Sequence, residues 1–466
     1  MSDASTGNNK ILCQLVATLT AFLTIYLSGV WLSWVSAVLP KIRAGELHID
    51  LSEDDISWMV ALMDIGNLLS PIPCGYLMDR LGRLPALRLS ALFFGVASML
   101  ALTATKPFHL HLARFFAGMG KGVGYTTAPL YVGEIAGPKI RGALSGIFII
   151  MLTSGSASTM TFGPWISFNY LNWATLAFPI IILVLSAIIP ESPYFYFMHS
   201  DEAAAKSAFI RLRGSASNGV PDESGGLPTE NTELLAIKKK VQNDMEQSTS
   251  FATLFTSRSN RKALRILLFT NAFQRLGGIS CIFAYASTTL PTDSFWDPRI
   301  TLMVFGWSGA ISGTIASPLI DSFGRKPLLL ISNTALCLLT GQSAVFYYFH
   351  QLTSVDMSRY YFMPHMGIML YGLFYAIGIG QVPHTLQSEL LPTNVKSQAS
   401  AVATIVLSIC SFITNKVYLP VYHGIGVWAM YLEFSLSALC CALFAIFFIF
   451  ETKGKTLSEI QTMLEK

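Results

Sequence analysis

Three features of the sequence predict an all-α membrane protein: twelve transmembrane helices in two six-helix bundles, with a cytoplasmic helical linker between the bundles. Charged residues make up 12% of the 466 and hydrophobic residues 52%, at a mean hydropathy of +0.51, whereas a soluble domain is about a quarter charged. Apolar runs of roughly 20 residues, enough to cross about 30 Å of hydrocarbon, recur between short polar breaks. A set of charges in the first half of the chain also returns at matching places in the second.

The runs fall at 13–39, 56–78, 85–105, 110–134, 142–164 and 173–190, and then at 264–290, 300–321, 327–349, 362–388, 397–419 and 426–450. They define an N-terminal bundle over 1–190, a C-terminal bundle over 264–450 and a cytoplasmic tail over 451–466. Residues 191–263 contain KSAFIRLRG, then the Gly/Ser/Pro-rich SASNGVPDESGGLPTENTE, then LLAIKKKVQNDMEQ. These read as a short helix, a flexible link and an amphipathic helix outside the bilayer. The polar start, Met1 to Lys10, lacks the proportions of a secretory signal, so the first run is expected to be a retained span. Lys and Arg collect in DRLGRLPALR, GPKIRG, SRSNRKALR and FGRKP, on the side of the termini, while AGELHIDLSEDD on the other side is acidic. Short cytoplasmic loops collect Lys and Arg, which puts both termini and the linker in the cytoplasm.

Composition also excludes several function classes. The net charge is only +4 and no basic block stands out, so nucleic acid is not an expected partner. The seven cysteines all lie in apolar runs, where they read as free thiols and not as an extracellular disulfide framework. No metal-ligand spacing or nucleophile triad is visible, so neither a metal, a cofactor nor enzyme activity is expected. The expected partners are a small-molecule substrate and the lipid bilayer, and a monomer is sufficient.

The repeated charges suggest a use. GYLMDRLGRLPAL aligns with SPLIDSFGRKPLL, so that Asp79, Gly82, Arg83 and Pro85 fall on Asp321, Gly324, Arg325 and Pro327. Glu134 precedes Arg141 by seven residues, as Glu389 precedes Lys396; Glu191 follows the sixth run and Glu451 the twelfth. Acids and bases at the cytoplasmic ends of both halves can pair across the seam while that side is closed and separate when it opens, the bistable contact that alternating access requires.

The motifs GYLMDRLGR, ARFFAGMGKGVGYTTAPLYVGEIAGPKIRGAL, PESPYFYF, FQRLGGIS, DSFGRKPLL, GIGQVPHTLQSELLP and ETKGKTLSEI, in this order and over almost the whole chain, resemble those of the sugar porter family of the major facilitator superfamily. Within it, the RGAL, YLNW and PESP run looks most like the insect trehalose and hexose carriers. The resemblance implies the major facilitator fold, a plasma-membrane location and transport of a hexose or trehalose. It further implies facilitated diffusion: proton-coupled members carry a first-span aspartate near a fourth-span arginine, and here Arg114 is present but YLSGVWLSWVSAVLP holds no carboxylate. Arg83, Glu134, Arg141, Glu191, Asp321, Arg325, Lys326, Glu389 and Glu451 match the family's cytoplasmic charge network. Lys396 stands where arginine is usual and keeps the charge without the bidentate fork.

The pocket departs further from the family pattern. The seventh-span signature Gln-Gln-x-Ser-Gly-x-Asn keeps Gln274, but has Arg275 for its second glutamine and Ser280 for its asparagine. In the tenth span Gln381 and His384 stand in the Gly-Pro-x-Pro-Trp motif, histidine replacing the tryptophan; on the eleventh, Ser408 falls at another tryptophan position, with Ser411 near it. With Tyr285, these residues are the substrate-binding candidates.

Asp64, Arg114, Lys121, Arg275 and Glu433 are ionisable residues within apolar runs, where charge is costly and normally functional or paired. In one reading Lys121 and Arg275 build an electropositive cavity for an anionic solute, with Asp64 or His384 exchanging a proton. In the other, Asp64 pairs with Lys121, and Arg275 bonds helix carbonyls or Glu433. Beside the sugar carrier therefore stand two alternatives: a carrier of another polar or anionic solute, with or without proton coupling, and a non-transporting nutrient sensor. A sensor is expected to need a long tail, and the chain ends about 15 residues after Glu451.

Overall fold

The computed structural model describes residues 2–137, 140–213, 234–235, 237–239, 241–242, 253–292, 296–391, 393–455 and 457–465, and these residues form helices and no strand. Prolines and glycines set where the helices stop. The first span is α1 (Ser2–Arg43). The second is broken into α2 (Glu53–Leu69) and α3 (Pro71–Leu81), bent by 41° at Ser70, because Pro71 has no N–H to continue the helical ladder. Its start is set by a capping box, Ser52 Oγ accepting from Asp55 N at 3.1 Å while the Asp55 carboxylate accepts from Ser52 N at 3.1 Å. α4 (Arg83–Leu102), α5 (Pro107–Ile135), α6 (Arg141–Phe162) and α7 (Phe168–Ile188) complete the first half.

In the linker, α8 (Pro193–Met198), α9 (Glu202–Arg213) and α10 (Thr253–Thr256) are described. The expected flexible link and half of the expected amphipathic helix lie outside the described residues; of the latter, residues 234–235, 237–239 and 241–242 are described and helical.

The seventh span, read from the sequence as one run, is two helices, α11 (Arg258–Leu276) and α12 (Ile279–Thr289), broken at Gly277 and Gly278. α13 (Pro298–Phe323) and α14 (Arg325–Leu352) follow. The tenth span is likewise divided, into α15 (Phe362–Ile377) and α16 (Val382–Glu389), around Gly378 to Gln381. α17 (Thr393–Gly424) and α18 (Val427–Phe448) are the last spans. α19 (Leu457–Glu465), in the tail, buries Ile460 and Leu464 in the core that includes Leu264 and Leu267 of α11.

Among the described residues, nine helical segments are long and apolar enough to cross a membrane, and the α2–α3 pair makes ten. The other two expected spans, α5 and α13, have 29 and 26 residues, about 44 and 39 Å at 1.5 Å per residue. Both have the length: α5 carries Arg114 and Lys121 and is enclosed by α1, α2 and α4, while α13, two of whose side chains lie outside the described residues, packs between α6 and α15.

The halves meet where α2 runs along α17, α1 against α12 and α6 against α13. At the acidic ends this seam is joined. Lys416 Nζ lies 2.5 Å from Asp54 and over the Trp58 ring at 4.3 Å, Ser57 Oγ donates to Lys416 O at 3.0 Å, and His423 lies 3.3 Å from Glu53. Deeper in, Tyr285 of α12 and Tyr418 of α17 stack with centroids 4.5 Å apart and planes within 2°. Trp31 stacks on Trp34, whose Nε1 donates to Asn172 at 2.9 Å. These aromatics belong to one apolar core shared by both halves, each ring pair adding about 0.5–1.5 kcal/mol beyond the area it buries.

Candidate substrate site and gates

At the basic ends the sequence repeat becomes a repeated structure. Arg83, at the start of α4, donates from Nε and Nη2 to the Glu134 carboxylate, the shortest contact being 2.8 Å, and from Nη1 to Met78 O at 3.1 Å. Arg325, at the start of α14, does the same with Glu389 at 2.6 Å and Ile320 O at 3.1 Å. Glu191 accepts the N–H groups of Arg83 and Leu84 at 3.1 and 2.9 Å, and Glu451 those of Arg325 and Lys326, both at 3.0 Å. Each carboxylate therefore caps a helix N-terminus, where exposed N–H groups and the helix dipole favour negative charge. Glycine makes this possible: Gly82 and Gly324 have φ of 108° and 93°, and a Cβ on either would lie 2.5 or 2.6 Å from the capping oxygen.

This differs from the expectation in two ways. The described gate charges pair within their own half and not across the seam. Glu191 and Glu451 hold backbone N–H groups in place of arginine side chains. Lys326 Nζ donates to Ile446 O at 2.8 Å, and Asp79 is exposed. The side chains of Arg141, Asp321 and Lys396 lie outside the described residues. Burial acts to raise the Glu451 carboxyl, but the N–H groups of Arg325, Lys453, Lys326 and Thr452 outweigh it and hold the group below the usual carboxylate range.

Between the two ends, the breaks in the seventh and tenth spans face one another. Gln274 Nε2 donates to Ile379 O at 2.8 Å and Gly380 O at 3.0 Å, taking up carbonyls that the interrupted α15 releases. Its Oε1 is buried without a partner. Next to it, Arg275 Nη1 donates to Ser280 Oγ at 3.4 Å, and Nε is buried and unpartnered. Ser280 Oγ lies 3.0 Å from Ser411 Oγ, which donates to Asp64 Oδ2 at 2.9 Å. Because Ser411 gives its proton to the carboxylate, the chain has one direction: Arg275 to Ser280 to Ser411 to Asp64. Asn415 Nδ2 also donates to Asp64 Oδ2, at 2.8 Å, and Asn67 Nδ2 donates to Ser408 Oγ at 2.8 Å. Asp64 and Asn67 belong to α2, Ser408, Ser411 and Asn415 to α17, so this polar network crosses from one half to the other.

Arg275 thus bonds neither a helix carbonyl nor Glu433 in the described contacts, and Asp64 is held by a serine and an asparagine in place of Lys121. Arg114 donates to Met59 O at 2.9 Å and to Trp31 O. Lys121, at the midpoint of α5, is 2% exposed and forms no described hydrogen bond or ion pair; its Nζ lies over the Tyr125 ring at 5.6 Å. Lys121, Tyr125, Tyr375 and His384 are all within electrostatic range of Arg275. Gln381 donates to Gly313 O at 3.3 Å, and His384, though enclosed by the bundle, leaves its ring open to the interior. Tyr285 is fully buried in the joined seam, its hydroxyl donating to Asn415 O at 3.4 Å. Glu433 accepts from Ser437 at 2.9 Å and lines a shallow apolar groove of about 390 Å³ with Phe273 and Trp428.

Sequence reasoning missed Asn67, Asn415, Tyr125 and Tyr375. Asn67 and Asn415 did leave a signal, as amides inside apolar runs (DIGNLL, FITNKV), where a polar side chain calls for a partner.

The sequence model of the family described as "Sugar (and other) transporter" matches residues 13–464. The chain is similar to proteins named facilitated trehalose transporter Tret1: that of Bombyx mori at 28% identity over 91% of this chain and 82% of the relative, and that of Drosophila willistoni at 27% over 96% and 50%. It thus spans about half the length of several of the relatives it matches. Among solved structures, the inward open conformation of the xylose transporter XylE from E. coli has a TM-score of 0.77 at 20% identity, over 97% of this chain and 99% of that one. A match over nearly the entire chain, agreeing with the two repeated six-helix halves, places it: the protein belongs to the Sugar (and other) transporter family.

Proposed function

We propose that this chain carries a sugar-like solute, a hexose or a disaccharide such as trehalose, across the plasma membrane by alternating access and facilitated diffusion. The basic ends, both termini and the linker lie in the cytoplasm. The observation that supports this most is the asymmetry of the seam. The acidic ends of the halves are joined by Asp54–Lys416 and the Tyr285–Tyr418 stack, whereas the ion pairs described at the basic ends, Arg83–Glu134 and Arg325–Glu389, each close within one half. A site between the two ends would then open toward the basic side, as one state of an alternating carrier requires.

Three broken spans support the placement of the site, since non-helical backbone within a bilayer is tolerated where it is covered by protein or lines a cavity. Facilitated diffusion rests on α1, whose buried polar residues are Gln14, Lys41 and the serines and threonines between them, with no carboxylate. The names of the relatives supply the sugar.

The test is uptake of labelled trehalose and glucose by the purified chain in liposomes, with a companion variant carrying Ser57→Cys and Lys416→Cys. Saturable uptake is expected, and oxidation of the cysteine pair across the acidic seam is expected to arrest it. Absence of saturable uptake or counterflow of either sugar would refute the reading.

A further inference from the structure

Lys121 is the least explained charge among the described residues. It sits at the centre of α5, 2% exposed, with no described acceptor. A cation so placed costs several kcal/mol unless something balances it. Among the described residues the one carboxylate acting on it is Asp64, which also stands within electrostatic range of Arg114 and terminates the hydroxyl relay from Arg275. Three cations, Arg114, Lys121 and Arg275, therefore share one carboxylate. Arg114 has its donors on helix carbonyls; Lys121 has none placed, and Arg275 keeps Nε unpartnered and its Nη1 bond long at 3.4 Å. Glu433, which accepts from Ser437, lines the groove with Trp428 and keeps a buried Oε2 without a partner, is not among the charges that act on Lys121. Beside these donors stands one unused acceptor, Gln274 Oε1. What is missing is thus a group that accepts from an ammonium and a guanidinium and, a few atoms away, donates to an amide oxygen.

We propose that the solute carried by this site is a hydroxylated anion, a sugar acid or a compound of that class. An oxyanion lies between Lys121 and Arg275, and a hydroxyl donates to Gln274. This rests on the alternating-access part of the reading above and replaces its neutral sugar with an acidic one. The charge is supplied by the solute: the protein leaves its two central cations partly unpaired, and binding completes them.

The experiment uses the full chain in liposomes, with gluconate and glucuronate, glucose 6-phosphate, and glucose and trehalose as labelled probes. Counterflow of the sugar acids is expected to exceed that of the neutral sugars at equal concentration, with the phosphate arm distinguishing a carboxylate site from one for phosphate esters. An inside-positive potential of 100 mV is expected to accumulate a monoanion about 50-fold at equilibrium and a neutral sugar not at all; this arm needs no variant. Lys121→Gln and Arg275→Gln are expected to weaken competition by sugar acids about 10- to 100-fold, and Lys121→Arg and Arg275→Lys to restore part of it, the fold of each variant being checked by its melting temperature. Uptake of glucose or trehalose that no anionic probe shares or competes with would overturn the proposal and leave the sugar reading intact. Failure of every probe to be carried, or to raise the melting temperature, would overturn both.

Discussion

Replacing Asp64 with alanine is expected to loosen the joined acidic seam. The carboxylate holds Ser411 at 2.9 Å and Asn415 at 2.8 Å, both on the opposite half. A hydrogen bond to a charged group is worth about 1.5–3 kcal/mol, so the two together are worth about 3–6 gross. When the halves part, all three groups regain water, which reduces the share that distinguishes the two states to about 1–3 kcal/mol, or roughly 5- to 150-fold in population. Asp64→Asn keeps the shape and one acceptor but removes the charge that orients the relay, and is expected to fall between wild type and alanine. The assay is a spin-label distance distribution between cysteines at Glu53 and His423. That exposed pair, 3.3 Å apart, is worth less than about 1 kcal/mol, so labelling reports on the seam more than it disturbs it. A longer-distance population should grow from wild type to Asn to Ala. Identical distributions in all three would refute the reasoning and assign the seam to the Tyr285–Tyr418 stack.

Gly324→Ala is expected to cost at least the 1–3 kcal/mol of a backbone conformation open to glycine alone, because φ is 93° and the new Cβ meets Glu451 at 2.6 Å. Gly82→Ala should behave alike, and an unchanged melting temperature for both would refute the capping account. Glu451 gives a pH dependence: with its folded-state pKa held below the ordinary 4.5, its contribution is fully present above about pH 4.5 and is lost as pH falls through the lower folded value. Melting temperature should therefore drop on acidification below 4.5 more steeply in wild type than in Glu451→Gln. Trp34→Phe strands Asn172 Oδ1 and is expected to cost about 1–3 kcal/mol, read as a lower melting temperature and checked against Asn172→Leu in the same background.

The sequence and the fold agree best where spacing alone carries the information. Arg83 with Arg325, and Glu134 with Glu389, were visible as two motifs each written twice, but the expected pairing was across the seam, and the fold closes Arg83 on Glu134 and Arg325 on Glu389 within each half. The roles of Glu191 and Glu451 were not visible, because they depend on the positive φ of Gly82 and Gly324, which spacing does not report. The breaks at Gly277–Gly278 and Gly378–Gln381 were written as glycines, yet averaging hydropathy over about 20 residues smooths them into continuous spans. Asp64 was recognisable as an intramembrane carboxylate, but its partners Ser411 and Asn415 lie 347 and 351 residues away. No local pattern predicts which of several polar helices will face it. For Lys121 the reverse holds: the sequence offered Asp64 as its partner, and the fold spent that carboxylate elsewhere.

The two glycine-cradled carboxylates also divide the molecule mechanically. Glu191 sits between the sixth span and α8, Glu451 between the twelfth span and the tail, and each fastens the end of its half to the start of that half's third span. A half tied in this way is a closed hoop that resists shear among its own helices. Motion is then concentrated where the ladder of backbone hydrogen bonds is already interrupted, at Ser70, at Gly277–Gly278 and at Gly378–Gln381. The same ties make the linker and the tail handles: a partner or a modification that pulls on α8 or α19 loads the hoop at its fastening point.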